Sequence, residues 1–193
     1  MRLPDVISFI YFMTCAVYFF YGMLILSRNT KSTMHWLVFC CCLDMSLWAI
    51  SFAIGNMAPD EASCLVWRRI GSVGWGSMFS YFLHYILLLT GSRLMRKKWI
   101  YLLLYVPAVL NIFLYGIYTK TAEASYHLQY TYSGWINVAG NTVLDWYYNV
   151  YYVGFAMTGI ALLLHWGFRS KDAAKRKQAF FIGFSFKIGR AHV

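Results

Sequence analysis

Charge is what this sequence has least of. Only 12% of its 193 residues are Asp, Glu, Lys or Arg, and only 7 are acidic, whereas a soluble domain carries about 25% charged residues. That scarcity argues against an ordinary water-soluble globule. With 60% hydrophobic and 20% aromatic residues, disorder is excluded as well. The 5 cysteines do not read as a disulfide scaffold: the number is odd, no C-x-x-C occurs, and Cys40, Cys41 and Cys42 are adjacent in an apolar run, where they read as small side chains in core or lipid. There is no G-x-x-x-x-G-K-[ST], no H-E-x-x-H, no G-x-S-x-G and no acidic pair at the end of an apolar run, so the residues give no catalytic, cofactor or metal site. The net charge of +10 invites a nucleic-acid reading. It fails because the cations fall in short clusters between apolar runs instead of lining one groove.

What is present are runs long enough to cross a bilayer, whose core of about 30 Å needs roughly 20 helical residues. The first is Val6–Leu26, without a formal charge, and too long and aromatic for a cleaved signal peptide. The second is Met34–Ile54, interrupted near its centre by Asp44. Gly55–Arg69 reads as a loop on its Gly-Asn and Pro-Asp turn signals. Ile70–Thr90, Trp99–Tyr118 and about 142–166 are the third, fourth and fifth spans, with a polar, tyrosine-rich connection from Lys120 to Asn141. Ala179–Phe186 begins a sixth apolar run that stops after 8 residues. The expected fold is therefore all-α: a polytopic transmembrane bundle of five complete spans and a truncated sixth.

Lys and Arg of short loops mark the cytoplasmic side. The turns after spans one, three and five hold Arg28 and Lys31; Arg93, Arg96, Lys97 and Lys98; and Arg169, Lys171, Lys175, Arg176 and Lys177. The other side holds Arg2, Arg68, Arg69 and Lys120 among five carboxylates. The N-terminus is expected outside, in a multi-pass protein of the cell membrane whose first partner is the lipid bilayer. The last seven residues, Lys187 to Val193, resemble the translation of a sequencing adapter, and the apolar run breaks at Lys187 without turn or cap. Residues 1–186 are accordingly taken as the membrane region and 187–193 as an artefact tail.

Few residues inside the spans are suited to chemistry. A mid-span carboxylate such as Asp44 costs about 2.5–3.5 kcal/mol to insert, so it should face the bundle interior with a partner. It reads either as a signal contact or as an interhelical hydrogen bond. His84 shares a helix face with Ser77, Ser80 and Tyr81, a stripe that could face Asp44. An interhelical hydrogen bond is its plainer reading, and no second His or Cys on that helix is spaced for a metal. Pro107 should kink the fourth span and free a carbonyl for Asn111 or a neighbour. Gly71, Gly74 and Gly76 give span three a small-residue outer face for close packing or a shallow cavity. Asp44, Trp75, His84, Asn111 and Asp145 are the candidate signal-sensing residues.

Trp67-Arg68-Arg69-Ile70-Gly71 and the run Phe82 to Gly91, with Leu83-His84-Tyr85 inside it, resemble the N-terminal seven-helix region of bacterial sensor histidine kinases, which also caps some diguanylate cyclases. Pro107, the outer-loop Tyr126-His127-Leu128-Gln129-Tyr130, and Arg176-Lys177-Gln178-Ala179 fit the same pattern. Ala124-Ser125 stands where that family shows an asparagine-proline step before the histidine. The resemblance implies seven spans, an outside N-terminus, a cytoplasmic output domain after span seven, and a homodimer as working unit. The expected function is membrane-embedded sensing of an unidentified small-molecule or membrane signal, as part of a histidine kinase. The alternatives are the same region on a diguanylate cyclase, or a small-solute transporter. A transporter would be expected to show paired Gly/Pro breaks in repeated positions, and a membrane-embedded enzyme would need clustered His or carboxylates; neither pattern is present.

Overall fold

The computed structural model describes residues 2–118, 126–138 and 140–170, and beyond these 172–174, 176, 177 and 179. The sixth run, apart from Ala179, and the Lys187–Val193 tail lie outside the described residues. Five long helices follow in order: α1 (Leu3–Arg28), α2 (Thr33–Asn56), α3 (Glu61–Leu89), α4 (Trp99–Asn111) and α5 (Val143–Arg169). A short 3-10 turn at Arg93–Arg96 precedes α4. After Asn111 the backbone of α4 widens into a π-helix over Ile112–Tyr118.

Local chemistry fixes where these helices begin. Asp5 accepts the Arg2 N–H at 3.0 Å in the first turn of α1. Asp60 accepts the Ser63 N–H at 2.8 Å and so caps α3 nine residues before the expected span. The Pro59-Asp60 pair, expected to be loop, is thus a helix start, and 61–69 form the first two turns of α3. Gly55 and Asn56, also taken as loop, close α2. At α5, Thr142 and Asp145 form a reciprocal capping box.

The helices differ sharply in what surrounds them. Only Ser8 and Gly22 of α1 are buried, and its large apolar side chains, Phe20 at 71% exposure among them, point away from the protein. α3 is the opposite: fifteen of its residues are buried, several of them Ser or Gly. α1 packs on α2, α2 on α3, and both α4 and α5 lean on α3. Among the described residues, four helical stretches are long and apolar enough to cross a membrane: α1, α2, α4 together with its π-helical continuation (Trp99–Tyr118), and α5; α3 is not among them. The centre of the bundle explains why α3 falls short of that standard: a helix screened from lipid by its neighbours can carry polar side chains that a peripheral helix cannot.

Close approach explains the glycines. A Cβ on Gly74 would overlap the Asp44 carbonyl oxygen and lie 3.0 Å from the Trp48 nitrogen, both α2 backbone; one on Gly71 would lie 3.1 Å from Ser51 Cβ. Helix packing, not an open cavity, is what the small face of α3 serves.

The connection between α4 and α5, expected only to be polar and rich in tyrosine, holds a β-hairpin. β1 (His127–Thr131) and β2 (Gly134–Val138) pair antiparallel, with Thr131 opposite Gly134 and His127 opposite Val138. Tyr132-Ser133 lacks the Asn-Gly or Asp-Gly signature of the commonest two-residue turns. Instead Thr131 Oγ1 accepts the Ser133 N–H at 3.3 Å and donates to the Gly134 carbonyl at 3.0 Å. Gly134 has φ +101, and a Cβ there would strike the Asn56 amide, so glycine is required twice over.

A candidate sensing site along the central helix

Followed from its N-terminal end, α3 meets each neighbour through a polar or aromatic contact. Near that end Arg68 is 2% exposed. Its Nη2 donates to the Trp135 carbonyl at 2.7 Å, and its guanidinium carbon lies 3.6 Å from the Phe52 ring centroid. Trp135 Nε1 in turn donates to the Ala58 carbonyl at 2.9 Å, and Tyr126 Oη to the Arg68 carbonyl at 3.1 Å. These bonds seat the hairpin over the C-terminal end of α2 and the N-terminal end of α3. Burial pushes the Tyr126 phenol above its ordinary range, Tyr115 adds to this, and the charges of Arg68 and Arg69 oppose it.

Trp75 lies beneath, its ring 4.9 Å from Tyr115 and 4.7 Å from Tyr148, both near edge-to-face. Tyr126 joins this cluster through Tyr115, with centroids 5.8 Å apart. It ties α3 to the π-helical part of α4, to α5 and to the connection between them. Such geometry adds about 0.5–1.5 kcal/mol per pair beyond burial.

Asp44 is 8% exposed and accepts from Ser77 Oγ at 2.8 Å. Ser77 Oγ also lies 2.5 Å from the Val73 carbonyl, so one hydroxyl hydrogen is shared between two acceptors. The rest of the stripe expected to face Asp44 turns elsewhere. Ser80 Oγ lies 2.5 Å from the Leu104 carbonyl and 2.9 Å from Tyr151 Oη, and Tyr151 donates to the Gly76 carbonyl at 3.0 Å. His84 Nδ1 lies 2.7 Å from Tyr105 Oη on α4, with its ring against Tyr101 and Tyr105. The reason is that α2, α4 and α5 all pack on α3, so residues that share a face in projection meet different neighbours.

Asn111 is fully buried, and neither its amide nitrogen nor its oxygen has a hydrogen-bond partner. It does not compensate for Pro107. Tyr147 Oη reaches across from α5 and donates to the carbonyl of Pro107 itself at 3.0 Å, which is distinct from the Leu103 carbonyl that the proline's missing N–H frees. Asn111 instead packs against Gly76, where a Cβ would come within 3.3 Å of its own Cβ, at the junction where α4 becomes π-helical. Insertions of this kind recur at functional sites.

Asp145 is set apart from the other four candidates. Its Oδ2 accepts from the Thr142 N–H at 3.1 Å and from Thr142 Oγ1 at 2.8 Å, which makes it a helix cap. The structure thus gathers Asp44, Trp75 and Asn111 about the Gly74–Ser77 stretch of α3 and puts His84 two turns further along. Arg68, Arg69, Tyr126, Trp135 and Tyr151 were not among the candidate sensing residues, although the first three stand in the motifs that carry the resemblance. For the arginines the missed signal was Asp60: once it is recognised as an N-cap, residues 68 and 69 become helix positions facing neighbours.

A bundle of apolar helices around one polar, small-residue helix defines a multi-pass membrane region. The chain matches, over residues 7–188, the family described as the N-terminal 7TM region of histidine kinase. It belongs to that family, and so is a membrane sensor region of a signal-transduction protein. No curated protein and no solved structure matches it.

Proposed function

We propose that this chain senses a signal in the outer half of its bundle and passes it on as a change in how α3 packs against α2, α4 and α5, controlling a histidine kinase domain that follows it. α3 is read as the third span and the N-terminus as extracytoplasmic, on the placement of the basic turns, with a homodimer as the working unit by analogy with the family. The observation that carries the proposal is the set of polar contacts α3 makes with a different partner at nearly every turn: Asp44 through Ser77, Tyr151 through Ser80, and Tyr105 through His84. Each is small, about 0.6 kcal/mol on average for a hydrogen bond between membrane helices, so two arrangements can lie close in energy. A ligand shifts such an equilibrium only by its differential affinity for the two. Asp44, Trp75, Asn111 and His84 are the residues proposed to take part.

The test is to join the chain to a histidine kinase catalytic domain and measure autophosphorylation in membranes. Asp44→Asn, Ser77→Ala and His84→Gln should each change basal output at unchanged expression. Output that ignores all three would defeat the proposal. Reporters placed after Lys98 and after Glu123 should read cytoplasm and exterior; the reverse would overturn the orientation.

A further inference from the structure

Two arginines at the outer end of α3 lack the counter-charge their burial demands. Arg68 presents five N–H donors; one of the two on Nη2 reaches Trp135, while its Nε and Nη1 are buried without a hydrogen-bond partner. Nε and Nη2 of the half-buried Arg69 are likewise enclosed and unpartnered. A guanidinium cannot shed its charge to escape this, as a lysine or histidine could.

No carboxylate answers them among the described residues, whose one ion pair is Arg2 with Asp5. Asp44 turns to Ser77, Asp60 and Asp145 are occupied as helix caps, and Glu61 is exposed. The two arginines are consecutive on α3, at the turn where Tyr126 Oη donates to the Arg68 carbonyl and Trp135 of the hairpin accepts from the Arg68 side chain. The β-hairpin closes over Arg68 through Trp135, leaving the half-buried Arg69 as the side of approach.

We infer that Arg68 and Arg69 form an oxyanion site beneath the outer hairpin, and that the signal read by this region carries a carboxylate or phosphate. The fork of guanidinium donors matches either group in a bidentate manner. Such an anion could arrive free in solution or as a lipid headgroup. The inference rests on the sensing role proposed above, whereas the site itself can be tested by binding alone.

The whole chain is purified in maltoside detergent, which carries no anion, and its unfolding midpoint is followed at constant ionic strength. The probes are acetate, inorganic phosphate and acetamide, the last being the neutral counterpart of acetate. A saturable rise with acetate or phosphate and none with acetamide is expected. Arg68→Lys, which keeps the charge but loses the fork, should weaken the anion response. Arg68→Gln also removes the bond to the hairpin and is open to misfolding, so Arg69→Gln is the deciding variant. It should raise the anion-free midpoint, by removing an uncompensated charge, and weaken the anion response at least tenfold. Phosphatidylglycerol added to the micelles separates the sources. If the headgroup is the ligand, the lipid alone reproduces the rise, free acetate adds nothing, and a neutral diacylglycerol has no effect. The site is refuted if neither the anions nor phosphatidylglycerol exceed their neutral counterparts, or if Arg69→Gln leaves the response intact. A chain that binds anions through Arg69 but leaves an attached kinase indifferent refutes the sensing role and spares the site. A kinase that still responds to the anion in the Arg69→Gln variant does the opposite.

Discussion

Replacing Gly74 by alanine tests the central contact of the bundle with a single methyl group. An ordinary contact for a Cβ begins near 3.4 Å, but at Gly74 the new carbon would overlap the Asp44 carbonyl oxygen and sit 3.0 Å from the Trp48 nitrogen and 3.2 Å from the Asp44 carbonyl carbon. All three are backbone atoms of α2, so no side chain can swing aside and the helices themselves must part. Overpacking of this kind costs about 1–3 kcal/mol. A matched control exists on α5, where a Cβ on Gly154 would meet nothing within 4 Å. There the same substitution should stabilise by about 0.5–1 kcal/mol, since alanine is the better helix former. The two variants should therefore differ by about 1.5–4 kcal/mol in a denaturant titration of the detergent-solubilised chain. Gly74→Ala should also alter the Asp44–Ser77 hydrogen bond, because the displaced α2 turn is the one that carries Asp44. Indistinguishable midpoints for the two variants would mean that α2 and α3 do not meet at Gly74, and the packing described above would be wrong.

Three further outcomes follow from the same geometry. Asn111→Leu replaces an unpartnered buried amide by an apolar group of similar size and should stabilise by about 1–3 kcal/mol in the same titration; a loss instead would mean that the amide is satisfied in the folded protein. A double-mutant cycle on His84→Phe and Tyr105→Phe should return a coupling near 0.6 kcal/mol and no more than about 1.7 kcal/mol, and zero coupling would remove that bond from the bundle. Thr142→Ala should cost about 1 kcal/mol by uncapping α5, and Asp145→Asn should act in the same direction while leaving the signal response of an attached kinase unchanged; a lost response at unaltered stability would return Asp145 to the sensing residues.

The helices were legible because the bilayer imposes a length and an apolar content that no turn or loop meets, so the cores of α1, α2, α4 and α5 agree with their sequence runs. The first turns of α3 were not, because Asp60, Glu61, Arg68 and Arg69 contradict the apolar criterion while satisfying the capping one. Between those signals the cap is the better guide at a membrane surface, where a helix can continue past the hydrocarbon region. The hairpin was hidden for a related reason: its turn relies on Thr131 and a positive-φ Gly134 in place of a recognised dipeptide. For the site, sequence could place Asp44 inward, since an unpartnered carboxylate in lipid is too costly, but it could not choose the partner. Ser77, Ser80 and His84 share one face in projection, yet they face α2, α4 with α5, and α4 in turn, because three neighbours divide the circumference of α3 among them. A central helix surrounded in this way cannot tilt or rotate without exchanging partners on several sides at once. That property suits it to carry a signal from the hairpin end to the basic turns, and it depends on the placement of α3 more than on any one residue along it.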